Sequence, residues 1–188
     1  YDTARRHLRT ADPLGNDKLK FLDANGNVTR VDERCVDTAT MALSRTFRTD
    51  FVVDADNRTT EVRKDPLGLN LTTLTAYGPR NEVLSVRDAS LNYVFTQYDF
   101  ALRKVAEAVM LAGNQTPDFT NHSAPNQALT TMNLNLDGLV ESETDPRNNT
   151  WSSLWNDRLE MEQKTNPDTT TVNPAYSIAG YMMSQVDE

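Results

Sequence analysis

Short stretches in which apolar and polar residues alternate are separated, at nearly fixed intervals, by Asp, Asn, Gly and Pro. Residues 59–64, 82–87, 91–98 and 159–163 show partial or strict two-residue alternation, the mark of a strand with one buried and one wet face. Residues 70–77, rich in Thr, Leu and Tyr, read as a further strand. Turn residues recur every ten or eleven positions: Asp2, Asp12 and Asp23; Asp54 and Asp65; Tyr77, Asp88 and Asp99; Asn135, Asp145, Asn156 and Asn166. An Asp or Asn side chain bonds to backbone two residues on and so starts a turn. Pro13, Pro66, Pro146 and Pro167 preset φ, and Gly15, Gly26, Gly68 and Gly138 can supply a positive φ. Turn signals at this spacing predict an all-β chain of antiparallel β-hairpins, with a full repeat of about 21 residues.

Two stretches break the beat. Asp32 to Asp50 has no node of this series, and Met41 to Arg45 could be a strand or a helical turn. Residues 100–111 contain strong helix formers, yet their place after Tyr98-Asp99 predicts a strand through Arg103 to Glu107. Residues 112–127 read as a polar inserted loop. The expected organisation is a single segment, 1–188, with repeat blocks 1–31, 54–107 and 135–171 and irregular insertions at 32–53 and 108–134. Beyond Asp168 the pattern fades, with Tyr176 and Tyr181 marking one more strand.

Composition narrows the function. The chain is 38% hydrophobic, with two Trp, six Tyr and six Phe, enough for a thin core. A net charge of −8 argues against nucleic acid, which calls for a basic stripe. No apolar stretch reaches the ~18 residues of a membrane span. Cys35 is the only cysteine and has no Cys or His neighbours to suggest a metal site, so it reads as a buried or inert thiol. There is no initiator Met and Tyr1-Asp2 falls in mid-repeat, so an excised piece of a longer chain is expected.

YDTARRHLRTADPLGN, VDADNRTTEVRKDPLGLN and TDPRNNT together resemble the Rhs or YD-repeat family, whose pattern runs Tyr-Asp, two residues, Gly-Arg, a short strand, then Asp-Pro-x-Gly. The likeness covers roughly residues 1–31, 54–107 and 135–171. Arg5-Arg6 stands for Gly-Arg in the first copy, with Ala4 at the Gly place. Val53-Asp54 and Trp155-Asn156 stand for Tyr-Asp. The resemblance implies hairpins coiled side by side into a β-sheet shell, such as those that enclose a toxic polypeptide in bacterial toxin complexes and polymorphic toxins, or the barrel of teneurin-like ectodomains. On that reading Asp2, Asp12, Pro13, Gly15, Asp65, Pro66, Gly68, Asp99, Asp145 and Pro146 are turn positions of the repeat.

Catalytic signals are poor, and no catalytic residue, cofactor or bound metal is expected. His7 reads as a strand residue and His122 as a loop residue, neither with a motif partner. Asp23, Asn25, Asn27 and Asp32 form a faint calcium-loop pattern, though Asp32 stands where a bidentate Glu is wanted; Asp54 to Asn57 is fainter. Asp65 to Leu69 superficially matches the aspartate-bearing cleavage end of family shells, but repeats follow it, so Asp65 reads as a turn residue. Glycosylation triplets occur at Asn27, Asn57, Asn70, Asn114, Asn121 and Asn148, with Asn114 and Asn121 the accessible ones. Tyr93, Phe95, Trp151 and Trp155 invite a glycan-binding reading, because Trp151 and Trp155, four apart in a strand, share a face. Two functions compete. One is a noncatalytic segment of a secreted or cell-surface shell that encloses or presents another polypeptide, for example a toxin. The other is an extracellular adhesion module that binds glycans or a protein. Either way, unpaired strand edges predict lateral assembly with the remainder of a longer chain or with identical copies.

Overall fold

The computed structural model describes every residue except 1, 2, 5, 38, 41, 112–115 and 188, which leaves the turn position Asp2 and the triplet at Asn114 outside the described residues. The chain divides into two compact units, Tyr1–Ser90 and Leu91–Glu188. The first holds β1 (Arg9–Ala11), β2 (Asp17–Leu22), β3 (Val28–Val36), β4 (Leu43–Val53), β5 (Thr59–Lys64), β6 (Leu71–Tyr77) and β7 (Val83–Arg87). The second holds β8 (Tyr93–Tyr98), β9 (Lys104–Met110), β10 (Gln127–Leu134), β11 (Val140–Thr144), β12 (Thr150–Trp155), β13 (Met161–Thr165), β14 (Thr171–Tyr176) and β15 (Met182–Asp187). Within each unit every strand pairs antiparallel with the next in chain order, and no helix occurs among the described residues. The chain is all-β, as the turn spacing predicts.

The stretch with strong helix formers is the strand β9, paired with β8 and β10. Tertiary pairing overrides propensity there. The region 32–53, expected to be irregular, is instead regular: it supplies the end of β3 and most of β4, the longest strands of the first unit. Its turn starts at Asp37, whose N–H donates to Ala42 O (2.8 Å) and whose Oδ1 accepts from Ala39 and Thr40 N–H (2.9 Å each); it falls off the ten- or eleven-residue beat because β3 and β4 run longer before they turn. His7 precedes β1 rather than lying in a strand, although Lys20 N–H donates to the carbonyl of Leu8 beside it (2.7 Å).

The turns explain the spacing. In the loop Asp12–Asn16 the node N–H donates to Asn16 O (2.9 Å) and Gly15 N–H donates back to Asp12 O (3.1 Å). Asp12 Oδ1 accepts from Leu14 and Asn16 N–H, both at 2.9 Å. Gly15, three beyond the node, has φ +87°, so the loop is a type I turn closed by a left-handed residue. The same two backbone bonds recur at Asp23, Asp54, Asp99, Asn135, Asp145, Asn156 and Asn166. A left-handed residue sits three beyond each: Gly26, Asn57, Leu102, Gly138, Asn148, Leu159 and Thr169. Alternate loops, those at Asp23, Asp54, Gly78, Asp99, Asn135, Asn156 and Ser177, add a one-residue register shift, a bulge that tightens strand twist; at the other end the β3–β4 loop carries one too, at Cys35/Val36.

Fully buried apolar side chains among the described residues are few, and all are in the second unit: Ala106, Ala108, Met110 and Leu129. Phe95 and Phe119 pack against them. Phe119 comes from the connection between β9 and β10, so the inserted segment folds back over the sheet and covers its best core. Gln127 Nε2 donates to Asp118 O (2.7 Å), and Asp118 N–H donates to Gln127 Oε1 (2.8 Å). His122 ties the segment down from its tip. Its Nδ1–H donates to Asp145 O (3.0 Å), and Nε2 pairs with Thr131 Oγ1 (3.1 Å).

Candidate functional site

The turn nodes do more than reverse the chain. At Asp nodes the second carboxylate oxygen accepts from the side chain four residues on: Asn16, Asn27 and Asn149 through Nδ2 (2.9 Å each) and Arg58 and Arg103 through Nε (2.8 and 2.6 Å). At Asn nodes the polarity inverts. Asn156 Nδ2 donates to Glu160 Oε2 (3.0 Å) and Asn166 Nδ2 donates to Thr170 Oγ1 (2.9 Å). These contacts hold the carboxyls below the usual carboxylate range: Asp54 through Arg58, and Asp99 through the Arg103 N–H and then its guanidinium. Gly78 keeps the geometry without a side chain. Glu82 Oε2 accepts from Arg80 N–H (2.8 Å) and fills the place of the missing carboxylate, so a Cβ at Gly78 would collide with it.

The fourth residue also reaches the neighbouring tip at the bulged end. Arg6 Nη1 donates to Asp23 O (3.2 Å), Asn27 Nδ2 to Asn57 Oδ1 (2.7 Å), and Arg58 Nη1 to Gly78 O and Asn81 Oδ1 (3.1 and 3.0 Å). In the second unit Arg103 Nη1 donates to Asn135 O (3.0 Å). Aromatic residues before a node add a second link of the same hand. Tyr77 O–H donates to Thr59 O (3.1 Å) and Trp155 Nε1–H to Val140 O (2.9 Å), in each case the carbonyl just past the preceding tip. The sequence reading missed these links. The signal was there, in Asp-x-x-x-Arg at Asp54–Arg58 and Asp99–Arg103.

One face of the first unit carries alternating charge. Across strands, Asp17 faces Arg34, Asp32 faces Arg48, and Asp50 faces both Arg30 and Arg63. Along strands, Arg30 pairs with Asp32, Arg48 Nε with Asp50 (2.7 Å) and Arg63 Nε with Glu61 (2.7 Å). Asp17, only 2% exposed at its side chain, is held by Arg34 and by Arg9 Nε at 2.6 Å. The Arg34 guanidinium, then Arg9, brings its carboxyl down to about 2 against the opposing effect of burial. Opposite charges directly across a sheet stabilise the pairing. Removing one partner of a buried pair would strand the other.

A concave feature walled by aromatic side chains lies on β11–β13. Trp151, Ser153 and Trp155 alternate along β12 and share a face, as their spacing predicts. With Val140, Glu143, Met161 and Lys164 they line a groove of about 400 Å³. Glu143 stands directly opposite Trp151, Lys164 opposite Ser153, and Met161 opposite Trp155.

Other candidates fall as follows. Asp12, Pro13 and Gly15 form one turn, Asp145 and Pro146 another, and Asp99 a third. Asp65, Pro66 and Gly68 form a different one. Asp65 itself takes φ +51° and Asn70 φ +50°, while Asp65 O accepts from both Gly68 and Asn70 N–H. Asp23, Asn25 and Asn27 share a tip, but Asp23 is committed to Asn27 through both oxygens. Asp32 lies apart, in β3, paired with Arg30. Among the described residues no group of three His, Cys, Asp or Glu could hold a metal. Tyr93 and Phe95 stack at 5.3 Å, Phe95 against the core. Cys35 is half-buried in β3. Asn70 and Asn148 are exposed with positive φ, whereas Asn121 Oδ1 accepts from Ser123 N–H (2.9 Å). No helix among the described residues is long and apolar enough to cross a membrane.

No family model matches the chain, and neither does any curated protein. Solved structures do match it over most of its length. A crystal structure of TcdB2-TccC3 without its hypervariable C-terminal region is 14% identical over 98% of this chain, with a TM-score of 0.41. TcdB2-TccC3-Cdc42 is 14% identical over 92%, with a TM-score of 0.39. The Photorhabdus luminescens Tc holotoxin pore is 9% identical over 95%, with a TM-score of 0.25. The chain spans 12% of the first two and 14% of the third. At these identities and TM-scores the likeness transfers neither family nor function.

Proposed function

We propose that the chain is a noncatalytic structural segment of a larger secreted or cell-surface β-wall that encloses or presents another polypeptide, such as a toxin. The observation that carries this reading is the tip-to-tip bonding. In the first unit the tips at Asp23, Asp54 and Gly78, and in the second those at Asp99, Asn135 and Asn156, are each fastened to a neighbour at the bulged end by a side-chain hydrogen bond, the construction expected of a repeat that cannot bury its own faces. The wall is thin and laced with ion pairs, and the reading asks no chemistry of it. Its growth edge is apolar: around β15, Tyr181, Met182 and Met183 are 75%, 61% and 72% exposed, and Ile178 wholly so. An edge strand of this kind is a template for further pairing.

Light scattering over a wide concentration range tests the reading. Association that rises with concentration, and that Met183→Lys suppresses by charging the edge, is the expected result. A monodisperse monomer throughout would sink lateral assembly.

A further inference from the structure

We propose that the groove on β11–β13 is a carbohydrate-binding site, in which a pyranose ring of a neutral oligosaccharide sits over Ser153 between the indoles of Trp151 and Trp155. This goes beyond the wall reading and does not depend on it.

Ser153 is the small residue between two large ones on the same face of β12, so the strand itself makes a notch walled by two indoles. Trp155 is fixed by its N–H bond to Val140 O at 2.9 Å, a preorganised wall that costs little to order on binding. Trp151 Nε1, the Ser153 hydroxyl, the Glu143 carboxylate and the Lys164 ammonium make no hydrogen bond or ion pair among the described residues. The notch therefore offers apolar walls, a free acceptor on the β11 side and a free cation on the β13 side.

A ligand that satisfies all of this has apolar faces and a rim that both donates and accepts. A pyranose does: its C–H faces lie against the indoles, its hydroxyls donate to Glu143, and its oxygens accept from Lys164 and Trp151 N–H. An aliphatic or prolyl side chain would fill the notch yet leave both charges unpaired, which is costly once water leaves. A phosphorylated ligand would bring negative charge to Glu143.

The test is titration of the full chain with cellotriose, maltotriose and tri-N-acetylchitotriose, each to about 10 mM, followed by saturation-transfer NMR and tryptophan fluorescence. At least one sugar is expected to bind. Trp151→Ala, which removes a wall, and Ser153→Trp, which fills the notch and keeps both walls, are each expected to weaken it at least about tenfold. Glu143→Gln and Lys164→Met are expected to weaken it several-fold, and Leu154→Ser on the opposite face to change nothing. Circular dichroism confirms that the variants fold. No saturable binding of any of the three sugars overturns the proposal. So does binding that survives both Trp151→Ala and Ser153→Trp, or capture of an unstructured apolar peptide with no sugar bound.

Discussion

Leu129 is wholly buried between Ala106, Ala108, Phe95 and Phe119, and Leu129→Ala measures how far the second unit depends on its covered core. The three side-chain carbons removed carry about 2.4 kcal/mol of transfer free energy, at about 0.8 each. The neighbouring alanines are too short to refill the space, and a persisting cavity adds about 1 kcal/mol. The expected loss is therefore about 3–4 kcal/mol, a large share of the stability of a unit this size. With a urea m-value of about 2 kcal/mol/M, the midpoint falls by roughly 1.5–2 M. Both tryptophans lie in Leu91–Glu188, so selectively excited tryptophan fluorescence follows the affected unit alone. Leu154→Ala is the control: Leu154 is 59% exposed on β12, and its truncation should cost less than about 1 kcal/mol. Equal midpoints for the two variants would refute the assignment of the core to the sheet beneath the 116–126 segment.

Three further outcomes follow from the turns and the ion pairs. Asp17 has a folded-state pKa of about 2, below the unfolded value of about 3.9, so its stabilisation is complete above about pH 4 and is lost as pH falls through about 2. Asp17→Asn should thus be less stable than the parent at pH 7 and indistinguishable at pH 2 in urea melts followed by circular dichroism; a gap that widens on acidification contradicts this. Leu159 occupies a left-handed position at φ +62°, and Leu159→Gly should stabilise by roughly 0.5–1 kcal/mol in the same melts; a lower midpoint would count against the strain argument. Asn156→Asp sets a carboxylate against Glu160 and should lower the thermal midpoint, whereas Asn156→Asp/Glu160→Arg reproduces the Asp99–Arg103 pairing and should recover it. A double variant no better than the single one would refute the polarity rule.

Much of this architecture was legible in the sequence because a turn is a local object. Asn135, Asp145, Asn156 and Asn166 announce themselves by residue type and spacing, and each begins a loop of the same build. What spans the sheet was not legible. The alternating charges on β2–β5 are scattered in sequence and become neighbours only through the strand register. Identical words can also fold differently. Asp12-Pro13-Leu14-Gly15 is followed at once by Asn16 and closes a five-residue loop with Gly15 left-handed. Asp65-Pro66-Leu67-Gly68 is followed by Leu69, and the extra residue moves the left-handed positions to Asp65 and Asn70. The turn expected at Tyr77 starts one residue on, at Gly78, a residue with no side chain to announce it, and its carboxylate arrives from Glu82. The 116–126 segment looked like a polar excursion; only the docked Phe119 and the His122 bonds show it as cover for the core.

The links from one bulged tip to the next carry a consequence for how such a chain can change length. Tips at that end alternate with tips at the other, so inserting a single strand would send every later tip to the opposite side and break the register of fastenings. Inserting two restores it. A lineage built this way can lengthen or shorten only in whole hairpins. Where an Arg or Asn stands four residues past a node at that end, as Asn27, Arg58 and Arg103 do, it acts as a coupling that an incoming hairpin must accept.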